Sequence, residues 1–131
     1  MAKGYLIDTS AVIKYLNQTF SAKAITYINK VIDSESNISF ISEIELQAWN
    51  PSNPEDISVY VQFVQSSNVF GISPEIIAST ISIRKKHKLK IADDALIAAT
   101  AIANDFILLA DNDKDFLKVE DLNYINPKNI K

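Results

Sequence analysis

The feature that most constrains the fold is an alternation of short apolar runs with longer segments of helical period. Strand-like runs cover 4–8, 38–41, 69–72 and 106–110, and 124–125 fits a fifth strand at the sheet edge. Between them, apolar residues recur at three- and four-residue spacing, as in amphipathic helices. Strands separated by helices pair in parallel through right-handed crossovers. The pattern therefore predicts an α/β chain with a mostly parallel sheet of four to five strands.

Polar side chains indicate where the first three helices begin. We expect Thr9 or Ser10 to cap the first helix, Ser21 the second and Ser42 the third. Each of these hydroxyls can accept a hydrogen bond from a backbone N–H that the first turn leaves unpaired. Asp8 then lies between a strand and a capped helix, which favours a ligand role for its carboxylate over a capping role.

The whole chain, 1–131, is predicted to form one domain. Its hydrophobic fraction of 47% and net charge of −3 are typical of a folded globular protein. Neither a repeat nor a linker divides it, and its length suits one hydrophobic core. The N-terminus lacks a signal-peptide core, and no apolar run approaches the roughly 20 residues of a membrane span. We therefore expect a cytoplasmic protein that does not enter a membrane.

Composition restricts the chemistry of any metal site. The sequence contains 0 cysteines and 1 histidine, which excludes thiolate and multi-histidine zinc sites and argues against a Ser-His-Asp triad. A metal would have to be held by oxygen atoms, for which there are 16 aspartate and glutamate side chains. Oxygen ligands select hard cations, so magnesium or manganese is expected.

Acidic residues follow the predicted strands at one end of the sheet. Asp8 follows the first strand, Glu43 and Glu45 follow the second, and the fourth is followed by Asp111, Asn112, Asp113 and Asp115. The carboxyl ends of parallel strands share one edge, where such side chains would repel each other. A divalent cation would remove this repulsion. Each acid taken alone also has a structural interpretation, as a helix cap or as a first-turn carboxylate favoured by the helix dipole.

Two more acids begin an alanine-rich helix. Acidic residues are common at this position in any helix. Asp94, however, is followed at helical spacing by Ile97, Ala98 and Ala101, which places it on the sheet-facing side. An unpaired carboxylate on that side is costly, so Asp94 is a candidate ligand. Asp93 is expected to point elsewhere, into solvent.

Four segments resemble the motifs of PIN-domain ribonucleases, especially toxins of the VapC type. They are 6–13 (LIDTSAVI), 42–46 (SEIEL), 92–101 (ADDALIAATA) and 107–116 (ILLADNDKDF). Together they follow the order and spacing of that family over nearly the whole chain. The resemblance implies a three-layer α/β/α fold, magnesium-dependent cleavage of RNA with Mn²⁺ as a substitute, a cognate antitoxin and a homodimer.

The resemblance also assigns catalytic residues position by position. The assigned set is Asp8, Glu45, Asp94 and Asn112, of which the three acids would hold the metal. Glu45 is preferred to Glu43 because it directly precedes the aliphatic Leu46. Residues assigned an auxiliary role are Glu43, Asp113, Asp115 and Ser10.

The fourth motif departs from the family pattern. Ala110 stands where a serine or threonine is usual, so either Asn112 or Asp113 could face the metal. Asp115 and Phe116 match the acidic–aromatic pair that closes this motif.

Positive charge is concentrated just before the third motif. Five of the 13 lysine and arginine residues fall within 84–90, and Arg84, Lys85, Lys86 and Lys88 are candidate contacts to the RNA backbone. A solvated helix end, where cations complement the dipole, explains the same run equally well. The apolar faces of the first two helices, with Tyr15, Phe20 and Tyr27, are similarly either core or a groove for the antitoxin.

Two other functions fit parts of this pattern. A non-catalytic binding module could use the same fold, although the intact set of acids argues against it. An aspartyl phosphotransferase also places an aspartate after its first strand, at the position of Asp8. Such enzymes usually carry a second aspartate two residues later, where Ser10 stands here.

Overall fold

The computed structural model describes residues 2–87 and 92–131. Its five strands are β1 (Gly4–Ile7), β2 (Asn37–Ser39), β3 (Asn68–Phe70), β4 (Phe106–Leu109) and β5 (Asn123–Ile125). Its helices are α1 (Thr9–Leu16), α2 (Ala22–Ser34), α3 (Phe40–Ala48), α4 (Ile57–Gln65), α5 (Pro74–His87), α6 (Ala92–Ala103) and α7 (Asp113–Phe116). Short 3-10 turns cover Pro54–Asp56 and Pro127–Asn129. Among the described helices, none has the length and apolar character needed to cross a membrane.

All the strand pairs are parallel, and β4 lies between β1 and β5. β2 pairs with β3, also in parallel. β1 packs beside β2, where the buried Asn37 side chain donates to the Tyr5 carbonyl at 2.9 Å. The backbone ladders therefore form a three-stranded and a two-stranded sheet, narrower than the single sheet of four to five strands that the pattern predicts. The mostly parallel α/β arrangement is confirmed.

Helices cover both faces of the central strands. Alternate residues of β1 and β4 point to opposite faces, because side chains alternate along a strand. Leu6 and Leu108 are buried in a cluster with residues of α5 and α6. Ile7 and Leu109 are buried in a second cluster with residues of α1, α2 and α4. Burial of each such side chain stabilises the fold by roughly 1.5–3 kcal/mol, and the two clusters give the predicted three layers.

The alanines of α6 explain its close packing on this sheet. Ala95, Ala98, Ala99 and Ala101 have an exposed fraction of 0%. Small side chains let a helix lie close to its neighbours without leaving voids. The start of α6 is thereby fixed beside the carboxyl ends of β1 and β4.

The first helix begins one residue earlier than predicted. Asp8, rather than Thr9 or Ser10, is the N-cap of α1, and its side chain accepts from the Ser10 backbone N–H at 3.3 Å. The prediction failed because the strand ends at Ile7, which leaves the next residue in the extended conformation that a cap requires. The Ser21 cap of α2 is confirmed by a bond from the Ala24 N–H.

The third helix also begins early. Ser39 is its N-cap and accepts from the Ile41 N–H at 2.9 Å, whereas the predicted cap, Ser42, is buried inside the helix. Local apolar pattern could not distinguish the end of β2 from the first turn of α3, since Phe40 and Ile41 suit both.

Candidate active site

A cleft of about 400 Å³ opens where the carboxyl ends of β1 and β4 meet the first turns of the following helices. It brings together residues that lie more than one hundred positions apart in the sequence. The lining residues are Asp8, Thr9, Ser10, Ile13, Glu45, Asp93, Asp94, Ile97, Asp111, Asn112 and Asp115. Two of the auxiliary candidates, Glu43 and Asp113, are not among the residues that line it.

Asp8 is the most enclosed acid of the cleft, with an exposed fraction of 8%. Its Oδ2 accepts from the Ser10 hydroxyl at 2.7 Å. Burial raises the pKa of Asp8, Glu45 raises it further by charge repulsion, and the hydrogen bonds from Ser10 oppose both effects. One oxygen thus caps α1 while the carboxyl group lines the cleft.

Glu45 reaches the cleft from α3. Its Oε1 accepts from the Thr9 hydroxyl at 2.6 Å, and the same hydroxyl lies 2.9 Å from the Ser42 Oγ. Thr9 therefore fixes one glutamate oxygen and joins α1 to α3. We did not predict this role, although the position of Thr9 directly after Asp8 was a usable signal. Glu43 lies on the same helix, half-buried and outside the cleft.

Asp94 faces the cleft from the first turn of α6. The residues that share its predicted face, Ile97, Ala98 and Ala101, are all buried, so the assignment of that face is confirmed. Burial and the neighbouring Asp115, Asp8 and Asp93 carboxylates raise the pKa of Asp94 to about 7. Asp94 therefore holds a proton more readily than an ordinary aspartate does.

Asp93 also lines the cleft, although it is exposed. Its exposure confirms the predicted contact with solvent, whereas its place in the cleft lining was not predicted. The helical spacing correctly separated its face from that of Asp94, but the cleft is wide enough to include both neighbouring positions at the start of α6. Asp93 contributes negative charge at the rim of the site.

The turn after β4 presents one amide to Asp94. The Asn112 Nδ2 donates to the Asp94 Oδ2 at 3.4 Å and to the Asp115 Oδ2 at 3.3 Å. Asn112 also caps α7, where its Oδ1 accepts from the Asp115 N–H at 3.4 Å. Asn112 and Asp115, which are three residues apart, therefore both lie beside Asp94.

The other two acids of this turn have different partners. Asp111 forms an ion pair with Lys14, and Asp113 accepts from the Tyr124 hydroxyl at 2.7 Å. These hydrogen bonds lower the pKa of Asp111 and the pKa of Asp113. The turn thus carries two acids held as carboxylates by donors of their own, while the pKa values of Asp8 and Asp94 are raised.

The cleft has the donor chemistry of a hard-cation site. All of its acidic and amide ligands offer oxygen, and among the lining residues that the structure describes there is no lysine or arginine. In residues 2–87 and 92–131, no three or more histidine, cysteine or acidic side chains stand in a pre-arranged metal-binding group. Charge repulsion between Asp8, Glu45 and Asp94 still favours a cation, so the donor set fits Mg²⁺ in its chemistry.

The described part of the basic run, 84–87, forms the last turn of α5. Lys86 lies 3.1 Å from the Glu120 carboxylate, with both side chains exposed. Arg84 and Lys85 lie beside it in the sequence, and none of the three lines the cleft. Lys88 is outside the described residues. Contact between this run and RNA stays a prediction.

Several solved structures have a similar fold. A toxin–antitoxin complex from Klebsiella pneumoniae matches with 22% identity and a TM-score of 0.73, covering 95% of this chain and 98% of that chain. VapBC2 from Rickettsia felis, bound to a promoter DNA fragment, matches with 20% identity and a TM-score of 0.76, covering 93% and 97%. FitAcB from Neisseria gonorrhoeae matches with 19% identity and a TM-score of 0.75, covering 95% and 99%. At these identities the likeness shows a shared fold.

Sequence comparison gives the family directly. No curated protein sequence matches at a significant level. The family model described as PIN domain matches residues 5–122, a range that includes all but the first residue of β1, all of β4 and α6, and every residue that lines the cleft. This match covers well over half of the chain, and the chain therefore belongs to the PIN domain family.

Proposed function

We propose that this protein is a magnesium-dependent endoribonuclease and the toxin of a toxin–antitoxin pair. The observation that carries the proposal is the single cleft that Asp8, Glu45, Asp94 and Asn112 share at the carboxyl ends of the parallel strands. Membership of the PIN domain family and the toxin–antitoxin complexes among the similar structures support it. The lack of thiolate or multiple imidazole ligands leaves an oxygen-held cation as the means of activating water.

Asp8, Glu45 and Asp94 would hold the cation. When bound, Mg²⁺ supplies a positive charge that polarises a phosphoryl oxygen and lowers the pKa of water. The chain's own groups prepare the acids for this role: Ser10 holds one oxygen of Asp8, and Thr9 holds one oxygen of Glu45. Fixed side chains need less reorganisation when a ligand or substrate binds.

Asn112 adds a neutral donor on the side of Asp94. An RNA phosphate is an anion, so an amide at this position repels it less than a further carboxylate would. Asp115 and Asn112 hold each other through two contacts, which limits the orientations that the amide can adopt. We propose that Asn112 completes the catalytic set and that Asp115 is auxiliary.

The decisive experiment is cleavage of a defined RNA by the purified protein, with product ends identified by mass spectrometry. Cleavage in Mg²⁺ or Mn²⁺ that stops with a chelator is expected. RNA or DNA binding without cleavage at any divalent cation concentration would instead indicate a non-catalytic module. Phosphate retained on Asp8 after incubation with a phosphodonor would indicate the phosphotransferase alternative.

The antitoxin is proposed to occupy an apolar groove between α1, α2 and α4. The groove is lined in part by Tyr15, Leu16, Ile32, Val59 and Phe63. From there an arginine of the partner could reach Asp8 and Asp94, since a guanidinium binds carboxylates in a bidentate manner. A homodimer would present two clefts on one assembly.

Co-expression with the neighbouring small open reading frame, followed by native mass spectrometry, tests the partner and the dimer together. A stable complex containing two copies of this chain is expected, and expression of this chain alone should arrest growth. An active protein that purifies as a lone monomer and leaves growth unchanged would contradict the toxin proposal, while the nuclease proposal would stand.

Asn112→Ala should lower the cleavage rate by about 10-fold or more, and by more than Asp113→Ala, which leaves the bond from the Asn112 N–H to the Tyr124 hydroxyl in place. The first change removes an amide that contacts Asp94, and the second removes an exposed carboxylate outside the cleft. Asp111→Ala, which breaks the ion pair with Lys14, serves as a second comparison. Rates are compared under single-turnover conditions. A larger loss at 113 than at 112 would show that the functional position is one residue later.

A further inference from the structure

The turn after β4 carries three aspartates and one asparagine, Asp111, Asn112, Asp113 and Asp115, yet only some of them face Asp94. Nothing in the local sequence decides this, because the four side chains are of similar size and polarity. The deciding contacts come from the end of β5, a strand that takes no part in the cleft lining. Two side chains there, Tyr124 and Asn126, reach the turn.

Tyr124 holds the backbone and one side chain of the turn at once. Its hydroxyl accepts from the Asn112 backbone N–H at 3.0 Å. It lies 2.7 Å from the Asp113 Oδ1 and 3.0 Å from the Ala110 carbonyl oxygen, either of which can take its one hydrogen. Burial and the Asp113 carboxylate raise the pKa of Tyr124, so the phenol keeps its hydrogen. The Asn112 N–H is thereby fixed on the side of β5.

Asn126 links the carboxylates of Asp111 and Asp113. It is 6% exposed, and its Nδ2 donates to the Asp111 Oδ1 at 2.9 Å and to the Asp113 Oδ1 at 3.0 Å. Its Oδ1 accepts from the Lys128 N–H at 3.0 Å. All the polar atoms of this buried amide have partners, so it cannot easily turn to a different arrangement. Lys14 binds the other oxygen of Asp111.

These bonds hold the carboxylates of Asp111 and Asp113, which flank Asn112 in the sequence. The Asn112 amide is left directed at Asp94. Asp111 is also connected to Asp8, the acid that follows β1. The Asp111 N–H donates to the Ser10 Oγ at 3.2 Å, and that hydroxyl donates to Asp8. The turn is therefore held from the β5 side by Tyr124 and Asn126 and from the α1 side by Ser10 and Lys14.

We propose that Tyr124 and Asn126 are positioning residues of the nuclease: they hold the turn so that the Asn112 amide faces the reacting phosphate, while the Asp113 carboxylate stays outside the cleft and the Asp111 carboxylate stays paired with Lys14 and Asn126. The inference rests on the proposed function. Neither residue lines the cleft, so each acts through Asn112 rather than on the RNA.

Tyr124→Phe is the cleanest test, because it removes one oxygen and keeps the ring that packs 5.7 Å from Phe116. We expect kcat to fall by about 10-fold with KM changed by less than about 2-fold, as for a misdirected group that acts in the transition state. Tyr5→Phe is the matched control: its hydroxyl bonds Tyr27 at 2.7 Å, away from the cleft, and its loss should leave kcat unchanged.

A double-mutant cycle separates positioning from general stability. If Tyr124 acts through Asn112, Tyr124→Phe should have less than about a 2-fold effect in an Asn112→Ala background, because neighbouring residues that act as a unit are not additive. Full additivity of the two losses would overturn the proposal. Asn126→Asp replaces the bridging donors by a third carboxylate, keeps the size of the side chain and should also lower kcat.

Amide hydrogen exchange gives a readout that does not depend on activity. In Tyr124→Phe the Asn112 backbone amide should exchange at least about 10-fold faster, while amides of β1 stay as protected as in the wild type. Unchanged exchange at Asn112 would overturn the proposal even if kcat fell. If the wild-type protein did not cleave RNA at all, the proposed function would fail, yet faster exchange would still establish the hold of Tyr124 on the turn.

Discussion

Asp94→Asn should reduce RNA cleavage by about 10³-fold, equivalent to about 4 kcal/mol of transition-state stabilisation. The substitution keeps the size of the side chain and removes the negative charge that, with Asp8 and Glu45, would hold the cation. Asp8→Asn should have a loss of the same order, since Asp8 lines the same cleft. Single-turnover rates with a defined RNA substrate give the measurement.

Asp121→Asn is the control for this pair, because Asp121 is exposed, lies outside the cleft and undergoes the same change of charge. It should cleave at the wild-type rate. The folded state of Asp94→Asn should be intact by circular dichroism, since a neutral amide avoids both the burial of a charge and the charge repulsion that raise the pKa of Asp94. Near-wild-type cleavage by Asp94→Asn would contradict a mechanism based on these acids.

The positions of Asp8 and Asp94 were predictable because each depends on a short-range pattern. Asp8 follows a strand of apolar residues, and the carboxyl edge of a parallel sheet collects such side chains. Asp94 shares a helical face with alanines that the sheet buries. The alternation of periods predicted the mostly parallel α/β arrangement, and the resemblance to the PIN-domain family implied its three layers.

The features of the site that could not be predicted from the sequence depend on contacts between distant segments. The hydrogen bond from Thr9 to Glu45 requires the relative placement of α1 and α3, two helices far apart in the sequence. The division of labour in the turn after β4 requires Tyr124 and Asn126. A pattern within either segment contains no information about such a contact.

The same limit explains the errors at the helix starts. A serine or an aspartate can cap a helix, remain in the preceding strand or begin the first turn, and these states differ by about 1 kcal/mol. Packing against the rest of the domain then decides the boundary. Asp8 and Ser39 became caps because β1 and β2 end directly before α1 and α3.

Removing divalent cations should abolish cleavage. It should also leave a folded state whose stability falls as the pH rises. The pKa of Asp94 is raised from 3.8 to about 7, so between these values the folded state holds a proton that the unfolded chain has released. Its contribution to stability is complete below pH 3.8 and is lost as the pH rises to about 7. For this half-buried group we expect a loss of about 1 kcal/mol after screening by solvent.

Urea unfolding in a chelator at pH 5 and pH 8 measures this effect, with lower stability expected at pH 8. In Asp94→Asn the difference should shrink, because the titrating group is gone.

Mg²⁺ at about 100 times its dissociation constant should raise the wild-type free energy of unfolding by about 2.7 kcal/mol. This gain should be greatest at pH 8, where the acids are fully charged, and small in Asp94→Asn. Cleavage should return with Mg²⁺ or Mn²⁺ and not with monovalent salt of equal ionic strength. A chelated protein that cleaves RNA, or one that Mg²⁺ stabilises equally with and without Asp94, would refute a cation held by this cleft.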